Sequence, residues 1–186
     1  MDGIRFEIKG LEPWLQNANK YTLRSIKNAG TSALRAMKTE ASRRIRETKG
    51  IQAQQMDAVF TLNYPSFSSD PLVWGLTAKA KPVPLLAFGA RQTKRGVSVE
   101  VTKGKRTIIP HAFIATMQSG HKGVFVRKGS KQIARKGSYV GKARQPIKEL
   151  FSASVASSLT HARAWVVDRG WAVFTTTFKR LMDARQ

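Results

Sequence analysis

Side chains able to do chemistry are unevenly supplied in this chain of 186 residues. It has no cysteine, which excludes disulfide scaffolds, zinc fingers, iron–sulfur clusters and thiol nucleophiles together. The three histidines, His111, His121 and His161, are 10 and 40 residues apart in different expected elements, a spacing that builds no local metal site. None of the patterns GxGxxG, GxxxxGK[ST], HExxH, DxDxDG or GxSxG occurs. General acid–base work needs two placed groups, and between residues 71 and 148 Glu100 is the only acid. The expectation is a protein without enzymatic activity, metal or cofactor.

Cationic side chains are abundant instead. Lys and Arg number 33 against 11 Asp and Glu, a formal net charge of +22, and residues 71–148 carry +16 of it. The charged fraction is 24% and the apolar fraction 41%, so the bias is in sign rather than density, and a folded chain with a core is expected. Between Arg127 and Gln145 apolar residues thin out, and Gly129, Gly137 and Gly141 punctuate a run of cations. Lys122, Arg127, Lys128, Lys131, Arg135, Lys136, Lys142, Arg144 and Lys148 are the candidate contacts to DNA or to an acidic partner protein. Lys and Arg on such a segment neutralise phosphates without reading sequence, with an affinity that falls steeply with salt. The bland alternative is a solubilising face. Phe125 and Tyr139 are the few aromatics nearby, so a base-stacking platform is weakly supported.

The elements that must position these groups form three parts: mainly helical 1–70, β-rich and basic 71–150 with a flexible loop at 127–145, and a C-terminal helix in 151–186. Ile4, Phe6 and Ile8 alternate with polar residues as in a short strand. From Leu15 a stripe through Ala18, Thr22, Ile26, Ala29, Ala33, Met37, Ala41 and Ile45 predicts a long helix, closed by Gly50 as a C-terminal cap. The stripe is alanine-rich with Gly30 beside it, which lets another element approach closely. A shorter helix is expected around Ile51 to Phe60 and a turn or loop from Pro65 to Pro71. Strands are expected at 73–80, 85–91, 97–102, 107–117 and 123–127, with Lys103-Gly104-Lys105 as a hairpin turn. Ser152 or Ser154 is expected to cap a final helix lined by Val155, Leu159, Ala162, Val166, Val173, Phe178 and Leu181. The fold class is α+β: one small, mostly antiparallel sheet packed with a long helix from each end, in a single domain. No stretch reaches the roughly 18 apolar residues of a membrane span, and no signal peptide is expected.

Five segments in order carry a resemblance: Pro84-Leu85-Leu86-Ala87-Phe88-Gly89-Ala90-Arg91, Gly96-Val97-Ser98-Val99, Ile109-Pro110-His111-Ala112-Phe113-Ile114-Ala115, Gly120-His121-Lys122-Gly123-Val124-Phe125-Val126-Arg127 and Pro146-Ile147-Lys148-Glu149-Leu150. Together they resemble the minor tail protein Z family, the tail completion proteins of lambda-like siphophages and prophages. The likeness spans about residues 82–155. After Phe151 the family often shows Gly-Pro-Ser where this chain has Ser152-Ala153-Ser154. The resemblance implies a virion structural protein in the neck at the head-proximal end of the tail, assembled in the host cytoplasm. It also implies a ring of six copies that meets a tail terminator or tail tube protein and the head–tail connector, beside the packaged double-stranded DNA. A stand-alone basic nucleic-acid-binding protein, ribosome- or nucleoid-associated, is the alternative reading of the charge.

Overall fold

A computed structural model of the chain describes residues 3–8, 20–65, 72–79, 81–133 and 140–184. It combines long helices near both ends with antiparallel sheets, an α+β fold. The chain forms two compact units, one of Met1–Ile45, Ala53–Lys81 and Ser154–Gln186, the other of Arg46–Gln52 and Pro82–Ala153.

The first unit is built on helix α1, Lys20–Thr48. Its expected stripe is correct wherever it is described: Thr22, Ile26, Ala29, Ala33, Met37, Ala41 and Ile45 are all buried, joined by Ser25, Gly30 and Leu34. Leu15 and Ala18 lie outside the described residues. Steps of three and four on a helix bring these positions to one face. A three-stranded sheet, β1 (Gly3–Ile8), β3 (Leu72–Ala78) and β2 (Phe60–Asn63), belongs to the same unit with β3 at its centre. Trp74 of β3 is 1% exposed and lies against Gly30, where a Cβ would come within 2.3 Å of the indole. Helix α2, Ala53–Val59, leads into β2, and the Lys38 ammonium of α1 pairs with the Asp57 carboxylate on it. The expected turn from Pro65 to Pro71 falls almost wholly outside the described residues.

The C-terminal helix is two helices, α3 (Ala156–His161) and α4 (Arg163–Asp183), separated at Ala162. Neither Ser152 nor Ser154 caps it: Val155 occupies the N-cap position, without a side-chain cap bond, because its buried side chain fills the core there. Leu159, Ala162, Val166 and Phe174 are buried, whereas Val173, Phe178 and Leu181 are half-buried. The Tyr21 hydroxyl donates to the Leu181 carbonyl, tying α4 to α1.

The second unit holds short sheets rather than one. In the first, β6 (Gly96–Thr102) lies between β5 (Arg91–Thr93) and β7 (Lys105–Pro110). In the second, β9 (Lys122–Arg127) lies between β8 (Phe113–Thr116) and β12 (Ile147–Glu149). A two-residue pairing joins β4 (Val83–Pro84) to β13 (Phe151–Ser152). Every pairing described is antiparallel, and Gly104 with φ 78° turns the β6–β7 hairpin as expected. Phe88, Val97 and Val124, each at most 1% exposed, are fully buried in its core, with Ile51, Leu85 and Phe125 buried beside them.

The strand expected at 85–91 begins as a 3₁₀ turn, Leu85–Phe88, that buries Leu85, Ala87 and Phe88 together, which an alternating strand could not do. The strand expected at 107–117 is two strands, because Pro110 has no N–H to donate and His111 adopts φ 59°, turning the chain. Gly50 is no left-handed cap: a Cβ there would lie 1.8 Å from the Glu100 carbonyl oxygen, so its role is close backbone approach, with its N–H donating to Val101.

Candidate functional site

Six of the nine cations expected to make contacts lie at the end of β9 and on the strands beyond and beside it. The β8–β9 hairpin places Phe113 opposite Phe125, and the ring centroids are 6.2 Å apart. On the other edge β12 pairs Ile147 with Arg127, Lys148 with Val126 and Glu149 with Phe125. Side chains alternate across a strand, so Phe125, Arg127, Ile147 and Glu149 share one face. The Arg127 guanidinium accordingly sits over the Phe113 ring at 5.4 Å. Glu149 packs over Gly123, and both its carboxylate oxygens are 3.0 Å from His121 Nε2. The acid nearest the cations is therefore engaged at the base of the sheet.

Beyond Arg127 the two strands continue as an arm. β10 (Gln132–Ile133) pairs with β11 (Ala143–Arg144), Gln132 opposite Arg144 and Ile133 opposite Ala143. The segment expected as a flexible loop at 127–145 is thus tied at both ends. Five residue steps separate Arg127 from Gln132 but only three separate Arg144 from Ile147, so the outgoing strand bulges. Gly129, with φ 68°, takes the left-handed conformation this requires, and Pro146 interrupts the ladder because it cannot donate. Lys128 N–H donates to the Pro146 carbonyl at 2.7 Å, and the Gln145 amide donates to the Gly129 carbonyl, which holds the bulge closed.

Arg127, Lys128, Lys131, Lys142, Arg144 and Lys148 all stand exposed on this arm. Lys122 does not join them: it starts β9 at the opposite end, beside the turn after β8. Arg135 and Lys136, with Tyr139, lie outside the described residues. Periodicity overlooked other features of the unit. Arg91, Lys94, Arg95, Lys103 and Lys105 are exposed on the β5–β6–β7 sheet. Arg106 is instead a clamp, donating from Nη2 to the Gly89 carbonyl at 2.8 Å and from Nε to Ser98 Oγ at 3.1 Å. Glu100 accepts from Gly104 N–H at 2.9 Å, and that bond, with Lys103 and Arg106 nearby, holds its carboxyl below the usual range. Also unforeseen were aliphatics standing in water on the arm, Ile133 at 68%, Val140 at 62% and Ile147 at 42% exposure. Their signal in the sequence is isolation: branched aliphatics without periodic neighbours in a cationic run.

In the first unit an open cleft of about 650 Å³ between α1 and α4 is lined by Thr39, Glu40, Arg43, Arg44, Trp165 and Arg169 among others. Arg43 and Arg44 both donate to Glu40, and Arg44 lies 4.8 Å over Trp165. The charge there is largely matched internally. Trp74 is core, whereas Trp165 and Trp171 are 52% and 40% exposed, and Trp14 lies outside the described residues.

Among the described residues no group of three or more His, Cys, Asp or Glu could hold a metal ion, and no helix is long and apolar enough to cross a membrane. The chain matches no protein-family model, no curated protein and no solved structure.

Proposed function

We propose that this chain is a structural, non-enzymatic protein of a siphophage virion, a tail completion protein at the head-proximal end of the tail whose basic arm meets a polyanionic partner at the head–tail junction. One observation carries the reading: the five segments resembling the minor tail protein Z family coincide with the frame that holds the arm. They are the end of β4 with the 3₁₀ turn, the start of β6, the β7–β8 corner, β9 with the turn into it, and β12, and the last two strands pair directly with one another. Copies arranged in a ring, as that family resemblance implies, would present several such arms around the path of the genome. Strand edges unpaired among the described residues, such as that of β7, offer neighbouring copies a surface.

The test is particle assembly. Lys128, Lys131, Lys142 and Lys148 changed together to Gln should give a protein that folds, co-purifies with tails and yields fewer joined, DNA-retaining particles. Fully infectious particles from the quadruple variant would reduce the arm to a solubilising surface. Infectious particles lacking the chain altogether would overturn the reading, and tight salt-sensitive binding to free nucleic acid by a protein absent from particles would favour a stand-alone binder.

A further inference from the structure

The arm's cations are interleaved with exposed aliphatics, and this bears on which polyanion it meets. In the β9–β12 ladder the two outer rungs oppose a cation to a branched aliphatic, Arg127 to Ile147 and Lys148 to Val126, so each face presents both kinds; the third rung pairs Glu149 with Phe125. Farther out, Gln132 is opposite Arg144 and Ile133 opposite Ala143, with Val140 before the return strand. A phosphate backbone offers cations a partner but leaves Ile133, Val140 and Ile147 in water, where they now stand 68%, 62% and 42% exposed. An acidic protein surface with apolar side chains between its carboxylates complements both sets. A second copy of this chain does not, because it brings a further +22.

We infer that the arm docks on an acidic, apolar-lined groove of another protein rather than on nucleic acid. This inference rests on the arm being the contact surface proposed above and names its partner class. The three aliphatics act as anchors within a cationic rim, and salt should therefore weaken the complex only in part.

Three probes separate the possibilities on the intact chain: random-sequence duplex DNA, poly-glutamate and a random glutamate–tyrosine copolymer. The expected result is that the copolymer binds about tenfold more tightly than poly-glutamate, the worth of one good apolar anchor. Binding to the copolymer should also persist at salt concentrations that release the duplex. Ile133→Ser, Val140→Ser and Ile147→Ser combined should erase the copolymer's advantage. An unchanged melting temperature shows that the triple variant folds, and Ile133→Ser with Val140→Ser alone, both on the outer arm, should erase most of the advantage if the triple variant does not. An advantage absent in the parent, or intact in the folded variants, overturns the inference, as does a duplex bound more tightly than the copolymer at every salt concentration. So does a slower sedimentation of the folded triple variant than of the parent, each measured alone, which would make the occupant of the arm a second copy. A copolymer preference in a protein missing from virions would leave this inference standing while the virion reading fell.

Discussion

The face of α1 and the arm of the second unit put branched and small apolar residues to opposite uses. On α1 the stripe from Thr22 to Ile45 is buried, and its smallest members matter most: Ala33 is fully buried, and Gly30 admits the Trp74 indole. On the arm Ile133, Val140 and Ile147 stand in water beside cations. The first unit carries net +8 and the second +14, although the second is the shorter. Substitution on α1 should therefore register as stability, and substitution on the arm as binding.

The sharpest way to break that contrast is at the close approaches. Gly50→Ala should cost about 3 kcal/mol or more, because the added Cβ meets the Glu100 backbone, which cannot swing aside. Gly30→Val should cost a similar amount through Trp74; chemical denaturation measures both, and wild-type stability in either variant would mean the approach relaxes freely. Ala33→Leu, in the fully buried stripe, should cost about 1–3 kcal/mol, and an unchanged melting temperature would show that the stripe is not packed. Glu40 gives a smaller effect with a pH signature. Its hydrogen bond with Arg43, supported by Arg44, lowers its pKa from the usual 4.5 in the folded chain, against a smaller opposing cost of burial. The unfolded chain thus takes up its proton at higher pH, and the stabilisation is complete above the usual value and fades as pH falls through the folded one. Glu40→Gln should cost under about 1 kcal/mol near neutrality, less at high salt, and nothing once the wild-type carboxyl is protonated. Lys131→Gln with Lys142→Gln should shift stability by less than about 0.5 kcal/mol, since both are exposed. A large loss there would make the arm's cations part of the fold and collapse the comparison.

Much of this was legible in the residues. The α1 stripe could be placed because a helix enforces its own period locally, and the β6–β7 hairpin because Gly104 supplies the turn. The 3₁₀ turn at Leu85–Phe88 was misread as strand because a short apolar run satisfies either geometry until its packing partners are known. The break at His111 was missed because a non-glycine residue rarely takes that conformation. On the arm, the basic residues were identified by type, but Lys122 was grouped with them by proximity in sequence, which pairing does not respect.

The sequence by itself determined the α+β class, the missing thiols, the helix stripe and the concentration of positive charge between residues 71 and 148. These follow from composition and from periods fixed by local backbone geometry. Only the tertiary structure decided that β3 joins β1 and β2, that Arg127 stands opposite Ile147, and that a Gly129 bulge turns an expected loop into a two-stranded arm. Such pairings join residues far apart in the chain, so the register that sets which aliphatics are buried and which meet water emerges only when the strands come together.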